Sequence, residues 1–337
     1  MRTEESLISK KDSTLTKGIL ILLIVLGHNS MIMEDLTINN YKFIFHYLYS
    51  FHVYLFLILP FLYNTPQFNL ERLKKNFISI YKPYTIMFAA LFFTNIILLK
   101  EDFHPMQTFY AYITGNEKLL REAIGASFPW FMPTMFSLIL LRNILFNKKY
   151  KTALIITTII SAVLFVIFRI LLLKSTYTVA FIAGSVVAIV YFSLAVTTRW
   201  IYENFRNKKH FNTISVIIFI ITSIIFFVFL QNKSVLYNFS RRCLLPISAL
   251  FTIFTILKYI KADTNIYKIF SYCGQESLPI YMIHIFVYNI LYQLAKKANI
   301  DIGVISGIIT YILTIGITIL IIQLCKRINI YKFIFKS

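Results

Sequence analysis

Apolar residues run along this chain in long blocks, and neither the alternation of a half-buried strand nor the one-faced spacing of a soluble helix describes them. A helix needs about 20 mostly apolar residues to cross a hydrocarbon core about 30 Å thick. Ten segments meet that length: 15–33, 43–63, 81–99, 128–147, 152–173, 177–197, 211–230, 241–260, 277–295 and 302–324. Short loops join them. The pattern predicts an all-α, polytopic membrane protein, a single integral domain over residues 1–337 of about ten transmembrane helices. Pro83, Pro129, Pro133 and Pro279 mark the places where a span is expected to end or kink. The first block lacks a small-residue cleavage site and runs on into Met31–Met33, so it reads as a span and not as a signal peptide.

Composition narrows the class further. With 58% hydrophobic and 14% charged residues, the chain carries more apolar surface than a soluble fold has interior to hide. The 33 Phe and 22 Tyr exclude disorder. A net charge of +20 fits either a nucleic-acid footprint or a positive-inside topology, and position decides between them. Alternate loops and the two termini hold 23 of the 34 basic residues, the opposite loops hold ten, and Arg169 falls within a span. That bias predicts both termini in the cytoplasm, with the same loops available to anionic lipid headgroups. No zinc-finger, helix-turn-helix or RNP pattern is present, so no nucleic-acid partner is expected. Cys243, Cys273 and Cys325 have no metal-ligand spacing and are expected as free thiols, with no metal cofactor. Oligomeric state is not legible.

Ionisable residues within spans are costly, so each is a candidate for function. Lys17 and His28 are eleven residues apart. At 100° per residue this returns to within about 20° of the same face, about 16 Å along the axis. A cation at the cytoplasmic mouth suits a phosphate, and an imidazole deeper in the span suits proton transfer. A coenzyme A thioester has that elongated shape. A snorkelling lysine and a histidine bonded between helices fit the same spacing. His52, in the second span, is either a site residue or a structural one, and Trp130 is either an interfacial anchor or a stacking platform. Tyr281 and His284, three apart, share a face near Glu276 at the start of the ninth span. Arg72, Lys74 and Lys75 fall in a basic loop that suits phosphates or simply follows the positive-inside rule. Arg169, Arg241 and Arg242 lie at outer span ends, where snorkelling is the default. His46, His104 and His210 suggest no role.

The stretch from Lys17 to Gly27-His28 resembles the opening motif of the membrane acyltransferase-3 family, a basic residue and a ten-residue spacer before a histidine. Phe51-His52-Val53-Tyr54-Leu55-Phe56 is similar to that family's second-span motif. Trp130-Phe131-Met132-Pro133 resembles its Trp-Phe-Leu-Pro stretch, and Ser277-Leu278-Pro279-Ile280-Tyr281-Met282-Ile283-His284 resembles a late one. The four occur in the family's order and span the chain. They differ from its usual pattern in Lys17 for arginine, Tyr54 for proline, and Pro60-Phe61 for Ser-Gly. Lysine keeps the charge at position 17 but lacks the bidentate guanidinium fork.

The resemblance implies a multi-pass O-acyltransferase of the inner (plasma) membrane that moves acetyl from acetyl-CoA to a hydroxyl of a surface polysaccharide or lipid-linked glycan. It implies His28 as the catalytic residue, as general base or transient acyl carrier. Lys17, Arg72 and Lys75 would contact the donor's phosphates, and His52, Trp130, Glu276, Tyr281 and His284 would support the site. The rival expectation is a transporter or glycan flippase without chemistry, which the lack of an evident internal repeat weakens. A membrane scaffold is a third class, in which buried histidines would serve nothing.

Overall fold

The computed structural model describes residues 6–35, 43–63, 70–94, 104–145, 176–229, 240–300 and 303–335, together with residues 96, 152, 155, 156, 159, 160, 163 and 237. The segment expected to span at 152–173 lies almost wholly outside them, as does Arg169. Helices account for the regular structure, and no strand occurs among the described residues. In chain order they are α1 (Lys10–Gly27), α2 (Ser30–Asp35), α3 (Phe43–Leu48), α4 (His52–Tyr63), α5 (Leu70–Phe93), α6 (Pro105–Thr114), α7 (Glu117–Ile124) and α8 (Phe131–Leu145). Then follow α9 (Thr176–Phe205), α10 (Phe211–Val228), α11 (Leu245–Leu257), α12 (Asn265–Gln275), α13 (Ser277–Lys297), α14 (Val304–Arg327) and α15 (Ile330–Phe335). A π-helical turn, Ser240–Leu244, leads into α11.

Among the described residues, five helices are long and apolar enough to cross a membrane: Phe43–Tyr63, Phe211–Val228, Ser240–Leu257, Ser277–Lys297 and Val304–Arg327. They coincide with the segments expected at 43–63, 211–230, 241–260, 277–295 and 302–324. Elsewhere the helices depart from hydropathy. α5 begins at Leu70, eleven residues before the expected span, so Arg72, Lys74 and Lys75 stand on its first turns and not in a loop. The reason is local: Leu, Glu, Arg and Lys are all strong helix formers, a preference hydropathy does not register. Pro83 lies inside this helix. The segment at 177–197 lies within the longer α9, and that at 128–147 is a short turn (Phe128–Trp130) followed by α8.

The first span is also not one helix. Gly27, Asn29 and Ser30 are weak helix formers, and the ladder of α1 stops at His28 (φ −88°, ψ −2°). The Asn29 Oδ1 then accepts the Ile32 N–H at 3.3 Å, capping α2, while its Nδ2 donates to the Gly307 carbonyl at 2.7 Å. Tyr288 Oη holds the same turn from α13, 2.6 Å from Ser30 Oγ and 3.2 Å from the Met31 N–H it accepts.

The described chain forms two compact units, one of residues 1–64 and 201–329, the other of 65–200 and 330–337. In the first unit α1 is the axis, packed against α4, α11, α12, α13 and α14. Its contact with α12 is closest at two glycines. A Cβ on Gly274 would lie 1.8 Å from the Thr14 carbonyl oxygen, and one on Gly18 would lie 1.9 Å from that of Phe270. Cys273, buried beside this crossing, has its thiol pushed up to about 11 by burial and so stays protonated. All three cysteines are free.

In the second unit α5 packs on α8. Tyr84, buried, stacks on Tyr112 with centroids 5.1 Å apart and donates to the Tyr112 carbonyl at 2.9 Å. Gly115 ends α6 with φ +61°, and a Cβ there would meet Pro133 at 2.9 Å, so the position needs glycine for both its conformation and its room.

Candidate active site

Three histidines and a tyrosine converge in the first unit. His28 ends α1. Tyr49 lies in the turn between α3 and α4, where the Ser50 and Phe51 N–H groups bond three residues back, to Tyr47 and Leu48, and tighten the chain. His52 opens α4 and His284 stands on the second turn of α13. Tyr49 Oη lies 3.0 Å from His28 Nδ1 and 3.3 Å from Nε2, so the hydroxyl and the imidazole share a hydrogen bond. The His284 ring stacks on His28 with centroids 5.2 Å apart and planes 23° from parallel. Tyr49 meets His52 edge to face at 4.8 Å, and Tyr281, buried on α13, lies 6.3 Å from the His284 ring. A Cβ added at Gly27 would sit 3.1 Å from the Tyr49 ring and 3.7 Å from His52 Nε2. The glycine next to His28 therefore lets α3 and α4 come close.

His28 is half-buried, whereas His52 and His284 are fully buried. Both buried rings are fixed by a helix carbonyl four residues back: His52 Nδ1 donates to that of Leu48, at the end of α3, and His284 Nδ1 donates to that of Ile280, on its own helix, at 2.9 Å. Among the described residues, no group of three or more His, Cys, Asp or Glu side chains is arranged to hold a metal.

This chain belongs to the acyltransferase-3 family. The family, described as an acyltransferase domain, matches residues 11–327. No curated protein and no solved structure matches the chain. The acyltransferase domain thus runs from the second residue of α1 to the end of α14 and contains every residue of the histidine cluster.

The other residues singled out from sequence are distributed as follows. Lys17 is half-buried on α1 beside the Gly18 crossing, with no carboxylate at ion-pairing distance among the described residues. Glu276 is paired with Lys326 at 2.6 Å, and the Lys326 ammonium also lies 5.6 Å from the Tyr272 ring, so Glu276 joins α13 to α14. Arg72 and Lys75 are exposed on α5, in the second unit. There Arg72 and the buried Arg199 are charge neighbours of the buried Arg142. Trp130, half-buried in the same unit, closes the turn before α8, and its carbonyl accepts from Thr134 Oγ1 at 3.1 Å.

Sequence reasoning missed Tyr49. A signal was present, because Tyr49 is three residues before His52 in the same expected span. Replacing Tyr49 with Phe keeps the ring against His52 and removes the hydroxyl from His28. The expected result is a fall in kcat of about fivefold, the worth of one neutral hydrogen bond of about 1 kcal/mol, with donor KM unchanged. Initial rates of thiol release from the acyl donor measure it.

Proposed function

We propose that this acyltransferase moves an acetyl group from acetyl-CoA to a hydroxyl of a surface polysaccharide or lipid-linked glycan, in the inner (plasma) membrane. His28 is its general base. The observation that carries the proposal is the half-buried His28 imidazole, held by the Tyr49 hydroxyl at the end of α1 within an acyltransferase domain.

The acceptor oxygen attacks the thioester carbonyl as its proton passes to His28, forming the C–O bond. The C–S bond breaks, and the leaving thiolate takes the proton back from the imidazolium. The products are an ester and free coenzyme A, and the imidazole is restored. A transient acyl-imidazole would use the same nitrogen. Lys17 contacts a phosphate of the donor, and in the second unit Arg72, with the buried Arg142 and Arg199 as charge neighbours, belongs to a basic cluster that by itself suits phosphate. In the topology proposed, about ten helices cross the membrane and both termini face the cytoplasm, where acetyl-CoA is made available.

The test uses membrane vesicles from cells with and without the chain, incubated with acetyl-CoA labelled in the acetyl group. Release of coenzyme A and label in the alkali-labile glycan fraction, both dependent on the chain, are expected. Vesicles that move glycan but release no coenzyme A would overturn the proposal in favour of a carrier.

A further inference from the structure

His52 and His284 hold the two buried side-chain nitrogens of the site that have no hydrogen-bond partner among the described residues. In each the unpartnered atom is Nε2, on a fully buried side chain. Because each Nδ1 faces a main-chain carbonyl, which only accepts, the ring proton is on Nδ1 and Nε2 is a bare lone pair. Two buried acceptors left without donors carry a free-energy cost that packing alone does not repay. Both rings border His28: that of His284 stacks on it with centroids 5.2 Å apart, and His52 Nε2 would lie 3.7 Å from a Cβ on Gly27, the residue before His28.

Both nitrogens are fully buried. His28 is the neighbour whose charge changes during the reaction. When it takes the acceptor's proton it becomes an imidazolium with two N–H groups, in surroundings that offer no carboxylate among the residues bonded to or stacked on it. A neutral imidazole locked as the Nδ1–H tautomer is a dipole with its negative end at Nε2. Oriented beforehand by a helix carbonyl, it stabilises a positive charge without reorganising as that charge appears.

We infer that His52 and His284 are positioning residues that act through His28. Their fixed Nε2 lone pairs stabilise the imidazolium formed in acyl transfer, in the role a carboxylate fills beside other catalytic histidines. The proton goes from the acceptor hydroxyl to His28 and from there to the leaving thiolate, never onto His52 or His284. This inference rests on the acyl-transfer reading.

The experiment is a mutant cycle on the full chain in membrane vesicles. The acceptor is surface polysaccharide from cells lacking the chain, stripped of esters by mild alkali. Acetyl-CoA is the donor, and thiol release is the readout. His284→Phe and His52→Phe keep a ring in place and remove the dipole. Each is expected to lower kcat about ten- to a hundredfold, as for a bond to a charged group, with both KM values unchanged. His284→Gln and His52→Gln, whose amide oxygens reach the position of Nε2, are expected to recover most of that loss. In a His28→Ala background the same substitutions are expected to cost nothing further, since the charge they stabilise no longer forms.

A rise in acceptor KM with kcat unchanged would overturn the inference, because the nitrogens would then be binding substrate. So would an equal loss in the presence and absence of His28. If a Phe variant does not reach the membrane, the Gln variant decides alone: activity as low as that of His28→Ala would overturn the inference, and near-wild-type kcat would support it. A His28→Ala protein with full activity would instead refute the acyl-transfer reading itself.

Discussion

Replacing His28 with alanine is expected to lower glycan acylation by about a hundred- to ten-thousandfold, the usual contribution of a positioned general base. The protein should remain in the membrane at its normal level, for a structural reason. His28 ends α1 through its backbone N–H, which donates to the Ile24 carbonyl at 3.1 Å, and alanine keeps that bond. The following turn is held by Asn29 and Tyr288, and not by the imidazole. What the substitution removes is the one ring of the cluster that is both half-buried and bonded to Tyr49. Coenzyme A release from vesicles and ester content of the surface glycan measure the effect, with abundance followed in the same membranes. Full acylation by the variant would sink the assignment of His28.

Substituting Gly274 with valine is expected to abolish the folded protein. A Cβ at this position would lie 1.8 Å from the Thr14 carbonyl oxygen, 2.8 Å from its carbon and 3.1 Å from the Gly18 nitrogen. All three are backbone atoms of α1, so no rotamer change relieves the contact; α1 and α12 must move apart. A crossing this close has no side chain between the two backbones to move into a gap, and atoms drawn apart lose their contacts outright. Separation therefore forfeits the interface with no compensating hydrophobic gain. It also displaces α1, on which Lys17 and His28 stand. The expected cost exceeds about 4 kcal/mol, the range reached only by severe core disruption. Gly316→Ala is the matched control. Its Cβ would meet nothing within 4 Å, and alanine favours helix by about 1 kcal/mol. Membrane abundance and thermal aggregation of detergent-solubilised protein separate the two variants. Wild-type abundance and melting of Gly274→Val would show that the α1–α12 crossing does not hold this fold.

The candidate-site residues are unevenly legible in the sequence, and the unevenness has a physical cause. His28, His52 and His284 stand out singly, because an ionisable group within an apolar block is costly wherever the block lies. That cost is local and a linear pattern carries it. Their convergence is another matter: His28 and His284 are 256 positions apart, and no periodicity relates them. Tyr49 was overlooked since tyrosine is cheap at a membrane interface and draws no notice until its hydroxyl is seen on an imidazole. Glu276 reads as part of the site from its neighbours in sequence, while the ammonium it pairs with, Lys326, comes from the far end of α14 and only the fold brings it near.

By itself, then, the sequence determined that this is an α-helical membrane protein. Hydropathy sums transfer free energies residue by residue, and five of the expected segments are helices long and apolar enough to cross a membrane. The sequence motifs also sufficed to point to the acyltransferase-3 family. The interruption of the first span, the glycine contact of α1 with α12 and the pairing of His28 with Tyr49 and His284 were decided only by the tertiary structure. Each depends on a surface supplied by a distant helix. In a chain where lipid-facing and protein-facing residues are alike apolar, nothing in the linear pattern records which is which.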